Sequence, residues 1–159
     1  MLNTAEPDTT WYHYDAMGAF RWVTLLGSTR IDYAIDALNR RIGEMVNGVL
    51  TQSFLYESSL RIAAELTPSG TVLSRFAYAT QVNVLEYMER GRARYRIITD
   101  HLGSVRLVVD ATTGSLQQQL DYDEYGQVTA NTNPGFQPFG YAGGSLDTQT
   151  SLLRFGAPD

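Results

Sequence analysis

Tyr14-Asp15-Ala16-Met17-Gly18 is the stretch that decides the fold, because it comes back along the chain. It returns as Ile35-Asp36-Ala37-Leu38-Asn39, Tyr56-Glu57-Ser58-Ser59-Leu60, Thr99-Asp100-His101-Leu102-Gly103 and Tyr122-Asp123-Glu124-Tyr125-Gly126. The acidic residues stand at 15, 36, 57, 100 and 123, so they are 21, 21, 43 and 23 residues apart. The gap of 43 holds two periods, with a degenerate copy at Tyr78-Ala79-Thr80-Gln81-Val82. An aspartate just before a glycine or asparagine can fold its carboxylate back onto turn amides, and the glycine or asparagine supplies the positive φ. Each period then corresponds to about two strands and two turns.

A second mark falls about nine residues after the first: Gly27, Asn47-Gly48, Gly91 and Gly135, with Ser69-Gly70 and Thr113-Gly114 slightly later in their units. Such pairs match the twist of a tight hairpin, so both marks predict hairpin turns. Between them the chain alternates as strands do, and Tyr12 and Tyr14, Tyr33 and Ile35, Phe54 and Tyr56, and Leu120 and Tyr122 each lie two apart on one face. Stacked units would form an aromatic ladder. Residues 36–46 could carry a helical face through Leu38, Ile42 and Met45, and residues 84–91 one helical turn; Gly43 and the short second stretch favour strand. From Thr129 to Gly144, Asn133-Pro134-Gly135, Pro138 and three more glycines break the period and predict a long loop.

The chain has 159 residues, the size of one domain. Hydrophobic residues make up 43% and charged residues 18%, a composition that can bury a core. Ten tyrosines and 14 glycines against 5 prolines suit an all-β chain of strands joined by tight turns. The net charge of −5 offers no attraction to phosphate backbones, which argues against nucleic acid as a partner. There is no apolar run of membrane-spanning length, and MLNTAEPDTT lacks the basic then apolar order of a signal peptide. Residues 1–10 are expected to form a polar tail and residues 11–159 a single domain. With no cysteine, disulfides, thiolate nucleophiles and cysteine-based zinc sites are all excluded, though the cellular compartment is left open.

The pattern resembles the YD repeat of the rearrangement-hotspot (RHS) proteins, a family that includes shell subunits of bacterial toxin complexes and the animal teneurins. The stretches that carry the resemblance are YHYDAMGAFRWVTL, YAIDALNRRIG, FLYESSLRIAAEL, YRIITDHLGSVRLVVDATTGSL, LDYDEYGQV and GFQPFGYAGGSLDTQTSLLRFG, covering about Trp11 to Gly156. The last three, in order, look like the RHS-associated core. The resemblance implies about seven successive antiparallel hairpins in one spiralling sheet, an open piece of a larger shell that in toxin members encloses and delivers a C-terminal toxin. Family members are often exported or held at the surface. The family's core ends in an Arg-Asp-Tyr-Asp-Pro stretch and an aspartate-based self-cleavage site. This chain instead reads Arg154-Phe155-Gly156-Ala157-Pro158-Asp159, with Ser151 where the family usually has glycine. No self-cleaving residue can be carried over.

No catalytic, cofactor-binding or metal-binding residue is expected, and no cofactor. Asp100, His101 and Ser104 have the types of an acid, base and nucleophile, but neighbours on one turn seldom reach the geometry of a triad, and Asp100 recurs where no serine or histidine matches. His13 is the other histidine. Asp121, Asp123 and Glu124 lack the spacing of a calcium loop. Gly140, Gly143 and Gly144 fit no phosphate-binding pattern and predict close backbone approach. Arg40, Arg41, Arg90, Arg92, Arg94 and Arg96 form two basic groups, of which Arg92, Arg94 and Arg96 alternate along one strand face. The expected role is that of a non-enzymatic structural module; the alternative is an adhesion or carbohydrate-binding module using exposed tyrosines. Open strand edges or a bare aromatic face predict a homo-oligomer.

Overall fold

The computed structural model describes residues 9–79 and 84–155. Twelve strands form one sheet: β1 (Trp11–Tyr14), β2 (Phe20–Thr24), β3 (Arg30–Ile35), β4 (Arg41–Val46), β5 (Val49–Tyr56), β6 (Ile62–Leu66), β7 (Val72–Ala77), β8 (Tyr87–Arg90), β9 (Ala93–Thr99), β10 (Val105–Asp110), β11 (Leu116–Tyr122) and β12 (Val128–Asn131). Every neighbour in the sheet is the next strand in sequence, and the sheet does not close, so β1 and β12 are its two edges. A small hairpin, β13 (Ser145–Leu146) with β14 (Leu153–Arg154), stands apart. Residues 41–46 are strand, as Gly43 favoured, and the second ambiguous stretch becomes β8 from Tyr87. The degenerate fourth turn at 78–82 and most of the polar tail lie outside the described residues, apart from Tyr78, Ala79 and residues 9–10.

One local device builds the acid-turn end of the sheet. Asp15 Oδ1 accepts the N–H groups of Met17 and Ala19 at 2.9 and 3.0 Å. Asp36 does the same with Leu38 and Arg40, Asp100 with Leu102 and Ser104, and Asp123 with Tyr125 and Gln127, all at 2.9 to 3.0 Å. The third residue after the acid takes positive φ, which is why Gly18, Asn39, Gly103 or Gly126 stands there. In the Glu57 unit the longer side chain does not cap, and Ser58 Oγ accepts the Leu60 and Arg61 N–H groups at 3.4 and 3.3 Å. Six residues after the acid, every one of these units carries a bulge: Arg21, Ile42, Ala63, Arg106 and Thr129 are skipped in the pairing. A bulge bends its strand and increases twist, so five bulges at one repeated position curve the sheet in one sense.

The inner face carries the core. Phe20, Val23, Ile31 and Tyr33 pack together at one end, and Phe54, Ile62, Phe76, Met88, Ile97, Val105, Val108 and Leu120 form a larger cluster beyond. The ladder is hydrogen-bonded as well as packed. The Tyr56 hydroxyl donates to the Arg41 carbonyl at 2.9 Å, Tyr78 to Ile62 at 3.1 Å and Tyr122 to Val105 at 2.8 Å. In each case the acceptor is the residue five positions after the preceding turn acid. An arginine from that preceding turn lies over the same ring, Arg40 on Tyr56, Arg61 on Tyr78 and Arg106 on Tyr122, at 5.0 to 5.4 Å. Each tyrosine therefore ties its hairpin to the one before. Ile35 and Thr99, which take the tyrosine's place in two units, have no ring hydroxyl to do so.

The C-terminal third corrects three expectations. Residues 129–131 are strand, so the loop begins only at Thr132, whose N–H still bonds the Gln119 carbonyl. Gly135 is not a hairpin turn of the sheet, because no strand pairs beyond β12. Most consequentially, the aromatic face is not bare: after Gly135 the chain doubles back across it. Phe136 packs edge-on to Tyr95 at 5.1 Å and Phe139 edge-on to Phe76 at 5.0 Å. Arg90 donates to the Phe136 carbonyl, and Val105 N–H to the Gly140 carbonyl. The return tract thus covers the ladder around Phe76, Tyr95 and Val105, while Tyr12 and Tyr14 of β1 stay exposed.

The turn device can be weighed against its exception. Asp36→Ala or Asp100→Ala is expected to lower unfolding free energy by about 1 kcal/mol, the usual worth of a side-chain cap. Glu57→Ala, which removes only an exposed pairing with Arg61, is expected to cost a few tenths. Chemical denaturation of the three variants checks this; equal losses would contradict the assignment of the cap in the third unit to Ser58.

Candidate functional site

The return tract ends in a seventh hairpin turn, at Asp147, and this one points inward. Asp147 Oδ1 accepts the N–H groups of Gln149 and Thr150 at 2.9 and 3.2 Å, and its own N–H bonds the Leu152 carbonyl. The loop is one residue longer than those at Asp15, Asp36, Asp100 and Asp123 and has the length of the Asp110 turn, so positive φ falls on Ser151, four residues after the acid, as it does on Gly114. The geometry accounts for glycine being the family's residue there. In the earlier units the second carboxylate oxygen faces an arginine of its own turn: Arg21 for Asp15, Arg40 for Asp36 and Arg106 for Asp100. Asp147 Oδ2 instead meets two side chains from the far end of the sheet. The Tyr33 hydroxyl donates to it, and Arg41 Nη1 lies 3.5 Å away.

This is the most charged part of the interior. The Asp147 side chain is wholly buried and that of Arg41 nearly so, with its guanidinium 3.7 Å from the centre of the Tyr33 ring. Glu44, opposite Tyr33 in the β3–β4 pairing, is buried on the same side, where Thr51 Oγ1 donates to it. Burial, then the Asp147 carboxylate, push the Glu44 carboxyl from its ordinary 4.5 up to about 7, against the pull of Arg41 and Thr51. Burial, followed by the bond to Asp147, raises the Tyr33 hydroxyl well above the usual phenol range. The shift favours a neutral, protonated Glu44 beside Asp147 and Arg41. Arg154, at the end of the tract, donates to the Asn39 carbonyl in the second acid turn, which pins the tract at another point.

The residues singled out in the sequence are placed elsewhere and serve other ends. Asp100 and Ser104 belong to a turn; Ser104 is buried, its hydroxyl accepting the Ala142 N–H of the return tract at 3.0 Å, while His101 is exposed on the same turn. Burial alone would raise the Asp100 carboxyl, but the Ser104 amide and hydroxyl, the Leu102 amide and Arg106 together hold it low. His13 stacks on Trp22 with ring centres 4.6 Å apart. Asp121 lies near Arg106, Asp123 caps its turn and Glu124 is exposed. Among the described residues no group of His, Asp and Glu could hold a metal ion. A Cβ on Gly140 would stand 3.1 Å from Leu153, and one on Gly144 2.9 Å from Phe155, the close approach expected of this tract.

The basic groups divide. Arg40 pairs with Asp36, Arg41 turns inward to Asp147, Arg94 pairs with Glu89 at 2.8 Å and Arg96 faces Glu86 at 3.4 Å. The cleft beside the tract, bordered by Arg40, Tyr56, Tyr78 and Arg154, has a volume of about 200 Å³. That is below the ~300–1,000 Å³ of ordinary small-molecule sites. Asp147, Glu44 and the pairing of Arg41 were not foreseen. The available signal for Asp147 was Leu146-Asp147 placed 24 residues after Asp123, close to the repeat, but with leucine in the tyrosine's place.

A sheet of sequential hairpins, locked by tyrosines and crossed on its inner face by its own C-terminal tract, has the build of a shell wall. The teneurin YD-shell family matches residues 3–158, so the chain belongs to this family of RHS/YD-repeat shells. Human teneurin-4 is 27% identical over 137 residues, covering 84% of this chain and 5% of that protein. The tRNA3(Ser)-specific nuclease WapA of Bacillus spizizenii is 27% identical over 146 residues, 89% of this chain and 6% of that one. Among solved structures, TcdB2-TccC3-TEV superposes with a TM-score of 0.61 at 17% identity, over 92% of this chain and 8% of its own. The Photorhabdus luminescens Tc holotoxin pore gives 0.57 at 16% identity with the same coverage. The chain thus spans about a twentieth of the length of the curated relatives it matches. Among the described residues no helix is long and apolar enough to cross a membrane.

Two outcomes follow from the buried cluster. Asp147→Ala leaves Arg41 buried without its counter-charge and is expected to cost about 3 kcal/mol, with the return tract becoming the first site of proteolysis. For Glu44, the folded chain keeps a proton that the unfolded chain releases. Stability is therefore unaffected below about pH 4.5, falls as pH rises toward 7, and carries the full cost above. Glu44→Gln is expected to remove that fall, so its melting temperature should gain on the wild type across this window. A difference constant from pH ~4 to pH ~8 would contradict the shift.

Proposed function

We propose that the chain is a non-enzymatic arc of a YD-repeat shell whose concave side encloses a toxic cargo and helps to deliver it. The observation that carries the proposal is the return tract. Residues 136–155 run along the inside of the sheet, so the concave side is lined by the chain's own C-terminal tract. The similarity to the WapA nuclease and to TcdB2-TccC3 supports enclosure of a cargo.

A second reading, adhesion to carbohydrate through exposed aromatics, rests on Trp11, Tyr12, Tyr14 and Tyr125, which are all solvent-exposed. The other tyrosines of the repeat speak against it, since Tyr56, Tyr78 and Tyr122 are used up in joining hairpins. Native purification separates the two. The expected outcome is that the sequence is recovered with a larger YD-repeat assembly and a polypeptide that resists protease until the assembly is opened. Recovery as a free species that binds immobilised glycans, with binding lost in Tyr12→Ala and Tyr125→Ala, would overturn the shell reading in favour of adhesion.

A further inference from the structure

Two arginines of the sheet hold the return tract, and a buried carboxyl is set near each of them. At one end Arg41 reaches Asp147 of the tract, and Glu44 stands on the same strand as Arg41. At the other, Arg90 Nη1 donates to the Phe136 carbonyl at 2.6 Å, with its guanidinium 5.3 Å from the centre of the Phe136 ring. Glu65 shares that face: it stands opposite Phe54 and Ser74, and Ser74 in turn stands opposite Arg90. Gln52 joins the two carboxyls, since it lies opposite Glu44 and donates to Glu65 Oε1 at 2.7 Å. Glu65 is buried like Glu44, and its Oε2 makes no hydrogen bond. An oxygen so placed is far more costly as part of a carboxylate than as part of a neutral acid.

We propose that Glu44 and Glu65 are a pair of latches: as neutral acids they leave Arg41 and Arg90 to the tract, and on losing their protons they compete for those arginines, so that residues 136–155 open from the inner face. The groups around each carboxyl act in the same direction. Glu44 faces Tyr33 on β3, Arg41 on its own strand, Thr51 on β5 and Asp147 on the tract. Its ionisation sets a negative charge against Asp147 and offers Arg41 another partner. Glu65 faces Gln52 on β5, Ser74 on β7 and Arg90 on β8. Arg90 is the cation of that group, and a carboxylate outbids the neutral Phe136 carbonyl for it. Burial, the largest effect, holds the Glu65 carboxyl above its ordinary value against Gln52, Arg90 and Ser74, as it raises Glu44 to about 7. The latches are therefore closed in mild acid and yield as pH rises past neutrality.

The tract has a fixed base from which to open. Asn133 Nδ2 donates to the Gln117 carbonyl at 3.1 Å, and the Asn133 carbonyl accepts from Gln118 Nε2 at 2.9 Å. Pro134 and Gly135 follow, Gly135 with a φ of 79°, before Phe136 meets the sheet. Contacts between the two pins, Val105 with Gly140, Ser104 with Ala142 and Phe139 with Phe76, join neutral groups. The pH dependence thus rests on the two arginines and their neighbouring acids.

Hydrogen exchange of the full chain at pH ~5.5 and pH ~8.5, read as protection factors so that the intrinsic pH dependence of exchange cancels, tests this. The expected result is a loss of protection of at least about tenfold in residues 136–155 at the higher pH, with β5 and β10 unchanged. Glu44→Gln combined with Glu65→Gln should hold the protection of the tract constant over the range, and either substitution alone should leave part of the loss. Tract protection indifferent to pH in the unsubstituted chain, a loss shared equally by β5 and β10, or a loss that survives the double substitution would each overturn the proposal. The first two outcomes need no variant, so the proposal can be rejected even where the glutamines impair folding.

Discussion

Most of this structure depends on one short contact, a turn side chain accepting N–H groups a few residues further on, supplied by the acid at Asp15, Asp36, Asp100 and Asp123 and by Ser58 in the Glu57 unit. It is local, so it forms the same way wherever the sequence repeats, and it fixes both the turn and the residue at which the returning strand begins. The bulge then falls at the same place in each unit, and the strand after it carries its carbonyl to where the next unit's tyrosine can reach. Sequential order in the sheet follows, because each hairpin is bonded to the one made just before it. The curvature that creates an inside is the accumulated effect of the same small irregularity.

The seventh turn uses the same chemistry for a different end. At Asp15, Asp36 and Asp100 the spare carboxylate oxygen stays near a partly exposed arginine of its own turn, where solvent still reaches the pair. At Asp147 the oxygen is taken out of water and set against Arg41 and Tyr33. Removing two charges from solvent roughly offsets their attraction, so such a cluster selects a position more than it adds net stability. What it selects is the path of the return tract, since few other places on an apolar inner face would accept a buried carboxylate. Glu44 sharpens the choice by entering the same space in its neutral form.

How far these features could be foreseen varies with how local they are. The acid turns at Asp15, Asp36, Asp100 and Asp123 were legible because donor, acceptor and the residue at positive φ lie within five positions. Glu57 was legible as a turn, although its cap is the neighbouring Ser58. The span 129–144 was harder. Its first residues continue a strand whose partner lies about ten residues back, and the rest crosses a face where neither period applies. Arg40 and Arg41 looked alike, yet Arg40 stays in its turn and pairs with Asp36, while Arg41, the first residue of β4, meets the buried aspartate.

The sequence by itself determined the repeat, the turns, the all-β class and the common face of the tyrosines, because each rests on spacing within one or two strands. Tertiary structure alone decided that the inner face is partly covered from within, and that Asp147 closes on Tyr33 and Arg41 more than a hundred residues away. The physical reason is that no periodicity encodes how far a bulged sheet has curved after six hairpins. That accumulated curvature determines which distant side chains come within hydrogen-bonding distance.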